Sequence, residues 1–256
     1  RYISVTGVQT CALPICSSTG TAEKKEECVK EFIVSDKFKK MMDDAFNATK
    51  SVLKKRAKNL KDWTENDKQE FSQIFGVSGD VIITSTYFAK RVADKLSENV
   101  DARTFMIDGV NRMIMICDSI SVESRSCQNG VNLYGNFINN THIFPGSARV
   151  NNGITIGLSP DQYKETLRIE ILQNFKKKPF SGRESHVSTL CHELSHFCRY
   201  FIDGKHCGGM GTDDVPTEEF DPNFRYTGYA RDLVKAHDLM VFKNAYNIER
   251  YFEIEP

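Results

Sequence analysis

The chain has 256 residues, 40% of them hydrophobic, and its 34 basic and 34 acidic side chains give a formal net charge of zero. Such a chain can bury a sizeable core and reads as one domain with an appended N-terminal part. Balanced charge argues against nucleic acid or an anionic membrane as the main partner, and no apolar run is long enough to span a bilayer.

Residues 1–16 read as a non-native leader. The stretch Val5 to Ile15 resembles translated sequencing-adapter sequence, with a genuine disordered leader as the alternative, and it lacks the basic start and apolar run of a secretory signal. Residues 17–37 read as a linker and the start of a first helix, and 38–256 as the folded domain. Within that domain, about 38–100 is expected to be helical, and about 101–256 to hold a sheet and the chemistry. From Cys28 to about Leu60 the apolar positions Phe38, Met42, Ala45, Val52 and Leu60, with Thr49, fall on one helix side. Lysines cover the other side and read as a solvated face. Trp63-Thr64 ends this helix, Thr64 caps a second that runs to Phe75, and Gly76 stops it. A third helix is expected from about Asp80 to Glu98, with Val81, Ser85, Phe88, Val92 and Leu96 inward.

Beyond Asp101 the pattern shortens. Arg112–Cys117 reads as a buried strand and Val131–Ile138 as a second. His142–Phe144 and Gly153–Gly157 read as two more, set apart by turn residues. Asn139-Asn140-Thr141 is an N-glycosylation sequon. Tyr163–Lys178 is read as a helix or an insertion. Eight cysteines are many for a cytosolic enzyme and few for a disulfide scaffold, so the compartment leans towards secreted or extracytoplasmic. Cys117 and Cys127 bracket a polar loop and are candidates to pair. Cys191 and Cys198 are too far apart along one helix to do so.

The segment Ser188–Cys198 carries the chemistry. His192-Glu193-Leu194-Ser195-His196 places two imidazoles four residues apart on one helix face, able to meet at a single ion. Glu193 lies on an adjacent face, within reach of a water that the ion acidifies. Ser181 and Glu184 offer a capping start. Val187, Leu190, Leu194, Phe197 and Phe201 form an apolar stripe roughly opposite the histidines. A catalytic zinc takes three protein ligands and keeps one position open. Downstream, His206, Cys207, Asp213, Asp214, Glu218 and Glu219 are all candidates for the third, and spacing alone does not choose among them.

Gly211-Thr212-Asp213-Asp214, together with the His-Glu-x-x-His segment, resembles the aspzincins, the deuterolysin and peptidyl-Lys metalloendopeptidase family. A later stretch, Asn244-Ala245-Tyr246-Asn247-Ile248-Glu249-Arg250-Tyr251-Phe252, is similar to that family's Asn-Ala-Asp…Glu-Tyr-Phe segment. The resemblance covers roughly residues 38–253 and implies an α+β, zincin-like fold. That fold has an N-terminal helical part, a small mainly antiparallel sheet, an active-site helix and a C-terminal helix. It implies one catalytic Zn²⁺ on His192, His196 and Asp214, with Glu193 as general base and a protein or peptide as substrate. Tyr229, or Tyr226, stands for the family's oxyanion-stabilising tyrosine, because Thr217 occupies its usual place. Glu249 is the candidate substrate contact for a basic residue after the cut. Tyr246 replaces the acidic residue that accompanies it in Lys-specific members, and an exposed helix-surface glutamate is the plain alternative. Ile154–Ile156 is the candidate edge strand for substrate pairing. Two other readings stay open. One is a structural zinc module built on Cys191, Cys198, His206 and Cys207. The other is a peptidase domain acting as a secreted toxin or effector.

Overall fold

The computed structural model describes residues 34–88, 95–120, 132–141, 146–151, 167–202, 205–215 and 226–256. Helix α1 (Asp36–Asp62) starts at Ser35, whose hydroxyl accepts the Phe38 N–H, and ends at Trp63 in the left-handed region (φ 51°). It buries Phe38, Met42, Ala45, Thr49, Val52 and Leu60, the stripe read from sequence. Residues 28–33 of the expected helix lie outside the described residues. Helix α2 (Glu65–Phe75) opens with a capping box between Thr64 and Asp67 and stops at Gly76 (φ 75°). A side chain at Gly76 would also collide with the Val234 carbonyl oxygen, 2.2 Å from a Cβ.

Two expectations fail next, for one physical reason. The segment read as a third helix folds as an antiparallel hairpin of β1 (Ile82–Phe88) and β2 (Lys95–Asp101). The Arg112–Cys117 segment read as a strand belongs instead to helix α3 (Ala102–Ser119). Short apolar runs fit either period, and packing decides between them. In β1, Ile83 and Ser85 are buried and their neighbours Ile82, Thr84 and Thr86 are exposed, a period of two. In α3, Ala102, Phe105, Met106, Gly109, Val110, Met113, Ile116 and Cys117 are buried, a helical period. Asp101, whose carboxylate accepts the Thr104 N–H at 2.8 Å, caps α3 and makes the junction sharp.

The remaining strands complete two four-stranded sheets. β3 (Leu133–Tyr134) and β4 (Phe137–Asn139) form a hairpin around Gly135 (φ 57°), so the single strand expected over Val131–Ile138 is broken there. β5 (Ala148–Asn151) pairs antiparallel with β6 (Arg168–Ile171), which lies parallel to β4. The spatial order β3-β4-β6-β5 leaves β5 at an edge. β7 (Arg199–Ile202) runs parallel to β1 and pairs with β8 (Lys205–Gly208), giving the order β2-β1-β7-β8. The described residues therefore form two sheets, each mainly antiparallel with one parallel pair, where one small, mainly antiparallel sheet was expected. Part of the segment read as a helix or insertion is strand β6. The strands expected over His142–Phe144 and Gly153–Gly157, and Cys127 with its expected bridge, lie outside the described residues. The sequon residue Asn139 is 4% exposed and accepts the Thr141 hydroxyl at 2.8 Å.

Helices α4 (His186–Ser195), α5 (Tyr226–Lys235) and α6 (Ala245–Tyr251) follow, and the architecture is α+β. The core lies where α1 packs on α3 and α4, and α4 packs on α6. No helix among the described residues is long and apolar enough to cross a membrane. Arg56, 1% exposed, locks the helical ends together. It donates to both carboxylate oxygens of Glu70 on α2 (2.7 and 2.9 Å) and to the Tyr251 carbonyl on α6, and it stacks on the Tyr251 ring. Removing Glu70 strands most of a buried guanidinium. Glu70→Ala is expected to cost about 1–3 kcal/mol in urea unfolding, while Lys40→Ala, in an exposed pair with Asp44, should leave the urea midpoint essentially unchanged.

Candidate metal centre

Helix α4 starts later than its sequence suggested. Glu184 is in the left-handed region (φ 48°), which a helix cannot continue through, so Ser181 is not the cap. Ser185 takes that place, in a capping box with Ser188. Val187, Leu190 and Leu194 bury one face and Phe197 follows, whereas Phe201 lies on β7. His196 sits at the C-terminal boundary with helical dihedrals (φ −66°, ψ −23°), so the four-residue spacing still stacks it over His192. Their rings are 4.8 Å apart, edge to face.

The last carbonyls of a helix lack partners inside it. Here the segment after β8 supplies them. The Met210 and Thr212 N–H groups donate to the Ser195 carbonyl (3.1 and 3.2 Å), and the Gly211 N–H to Phe197 (2.9 Å). The approach is so close that a Cβ on Gly209 would lie 2.6 Å from the Leu194 and Phe197 carbonyl oxygens. Thr212 and Ser195 also join hydroxyls at 2.6 Å. On its other side the segment is tied to the start of α6. The Asp213 N–H donates to Lys243 (2.8 Å), the Ala245 N–H to Asp213 (2.9 Å), and the Val215 N–H to the Asn244 side chain. Asp214 is thus clamped from both flanks.

The clamp brings three ligand atoms together. Asp214 Oδ1 lies 3.1 Å from His192 Nε2 and 3.6 Å from His196 Nε2, and the three groups fall within 4.8 Å of one another. Both imidazoles are held from behind. His196 Nδ1 donates to the Thr212 carbonyl at 2.9 Å, and His192 Nδ1 to Glu249 Oε2 at 3.1 Å. With the proton fixed on Nδ1, each Nε2 lone pair is free to face an ion. Asp214 Oδ1 is buried with no well-aligned hydrogen bond, facing the two Nε2 atoms, and a cation between these three atoms would satisfy it. Two Nε2 atoms and one carboxylate oxygen form the donor set of a three-ligand zinc site, and these residues fit the ion.

Burial and neighbouring charge set the site's protonation. Burial pushes the Glu193 carboxyl up to about 7, with the Asp214 and Glu249 charges adding and His192 opposing. The Val150 main chain on β5 bonds to this carboxylate. His192, although buried, is driven well above the usual imidazole range by Asp214 and Glu249. His196, buried beside His192, falls to about 4.

The other sequence candidates distribute differently. Glu249 lies on α6 at 8% exposure, one oxygen on His192 and the other accepting the Ser188 hydroxyl at 3.0 Å. It stands behind a ligand imidazole, and it is not the exposed helix-surface residue of the alternative reading. Tyr229 packs half-buried against the hydrophobic core. Tyr226 instead stacks on Tyr246 (4.9 Å, 12°), whose ring meets His192 at 4.8 Å. Cys191, Cys198, His206 and Cys207 form no convergent group. Among the described residues the ligand triplet that does converge is His192, His196 and Asp214. Cys191 points into the core, and His206 packs edge-on to Tyr87 and Phe201. Sequence reasoning missed Ser188 and the supporting role of Glu249. Ser188 lies one helical turn before His192, on its face, which was the available signal.

Zinc is expected to stabilise the protein, since an ion that binds only the folded chain adds about 2.7 kcal/mol at a hundredfold excess over Kd. A zinc titration followed by thermal unfolding measures this. Glu249→Ala should weaken zinc about 10–100-fold in chelator competition, with the far-UV spectrum unchanged, because His192 loses its orienting partner.

No family model matches the chain. No curated protein matches it either. Among solved structures it is similar to a zinc peptidase from Grifola frondosa, at 15% identity and a TM-score of 0.48, over 86% of this chain and 96% of that one.

Proposed function

We propose that this chain is a zinc-dependent endopeptidase of zincin-like fold. The observation that carries the reading is the convergence of His192 Nε2, His196 Nε2 and Asp214 Oδ1 beside a buried Glu193. His192, His196 and Asp214 would hold a zinc ion, which would supply Lewis-acid polarisation of a carbonyl and a more acidic water. Glu193 is the general base. Its carboxyl group is buried on α4 between the two histidines, where it can take a proton from the attacking water and return it to the leaving amine. The Val150 main chain orients that carboxylate. Tyr246 meets the His192 ring and Tyr226 stacks on Tyr246, and a tyrosine O–H there suits a developing oxyanion.

The extended substrate lies along the outer edge of β5, which packs against α4 and has no further partner strand among the described residues. Strand addition at that edge is the mode of substrate pairing that this reading implies. Ile154–Ile156, the edge strand expected from sequence, lies outside the described residues. The aspzincin relationship is part of this proposal, as is the secreted setting. The toxin or effector reading uses the same chemistry on a particular target.

The deciding experiment is casein cleavage by zinc-loaded wild type, Glu193→Gln and Asp214→Ala, with metal content measured for each. Activity should fall at least 10²-fold in Glu193→Gln with zinc retained, and be lost in Asp214→Ala together with most of the zinc. A wild type that binds zinc and cuts nothing, with Asp214→Ala keeping its metal, overturns the reading.

A further inference from the structure

Tyr246 lies in the first turn of α6 and Tyr226 at the start of α5. Their rings stack face to face, 4.9 Å apart and 12° from parallel, and Tyr246 also crosses the His192 ring at 4.8 Å and 75°. Both side chains are half-buried, so the pair forms an aromatic plate beside the ligand set with part of its surface open to solvent. The carboxylates whose charges act on Tyr246 are Asp214, Glu249 and Glu193, and each has a task. Asp214 Oδ1 faces both imidazoles, and Glu193 lies on α4 between the two histidines. Glu249 divides its two oxygens between His192 and Ser188, and it is buried. Its charge is further offset by Lys178, whose ammonium is held on the Thr189 hydroxyl at 2.7 Å.

A lysine or arginine entering beside this plate would lose water and, among the described residues, gain no uncommitted carboxylate, which disfavours it. A flat or apolar side chain covers ring surface and needs no counter-charge. We propose that the Tyr226–Tyr246 plate forms the side-chain subsite next to the cut, and that it takes aromatic or large apolar residues in preference to basic ones. The inference rests on the peptidase reading above and reverses the basic preference that the family resemblance implied for Glu249.

The test uses zinc-loaded Glu193→Gln protein, which binds without turnover. Short peptide hydroxamates carrying a Phe, Leu or Lys side chain next to the hydroxamate are titrated by calorimetry. Phe and Leu ligands should bind about tenfold tighter than Lys. Adding Tyr246→Ala should bring Phe to within about threefold of Lys with zinc stoichiometry unchanged, while Tyr246→Phe keeps the ranking. A Lys ligand that binds as tightly as Phe overturns the proposal, as does a Phe advantage that survives Tyr246→Ala. Peptide-library cleavage by wild type separates the two readings. If no peptide is cut while the ligand ranking holds, the peptidase reading fails and the subsite stands. If cutting occurs at Lys or Arg, the peptidase reading stands and the subsite falls.

Discussion

The structure depends on how the end of α4 is closed. A helix that ends at a candidate metal ligand leaves carbonyls unpaired beside the site. The 209–212 segment pairs them, and the N–H groups that satisfy Ser195 and Phe197 belong to the chain leading into Asp214. Glycine at 209 is required by the closeness of that approach. The Thr212 carbonyl then fixes the His196 tautomer, and the Thr212 hydroxyl reaches Ser195. One short segment therefore caps the helix, orients one ligand and delivers another.

The second support comes from the far end of the chain. Helix α6 provides Asn244, which bonds to the main chain at Val215 and Tyr246, and Glu249, which holds His192. Arg56 on α1 ties the Tyr251 carbonyl at the end of α6 to Glu70 on α2, so the position of Glu249 is set by the helical core and not by a surface loop. A similar logic operates on the other sheet. Arg199 of β7, 3% exposed, reaches Ser85 of β1, Glu98 of β2 and Asp108 of α3. A buried guanidinium tolerates little loss of its partners, so such clusters define a single arrangement of the elements around them.

The electrostatics of the centre follow from this packing. Burial alone would lower both histidines and raise all three carboxyls. The outcome is asymmetric because His192 faces two carboxylates and His196 faces one and a carbonyl. Glu193, with no hydrogen-bonded cation of its own, is left near neutrality.

Local chemistry was enough for some of this. The Thr64 box, the Gly76 stop and the α1 stripe are determined within a few residues, so the sequence by itself determined α1 and α2 from Ser35 to Gly76. His192, Glu193 and His196 were legible because a helix puts residues four apart on one face whatever surrounds it. Asp214 was named only through the family resemblance, since spacing left six candidates. What only the tertiary structure decided is everything that rests on contacts distant in sequence. The runs at 82–88 and 112–117 had apolar patterns compatible with either period, and β1 became a strand because β2 and β7 flank it. Glu249, a substrate contact by resemblance, is 57 residues from His192 and becomes its support only when α6 packs on α4. Motif spacing records the geometry of one element; the partner across a packed interface is set by the fold as a whole.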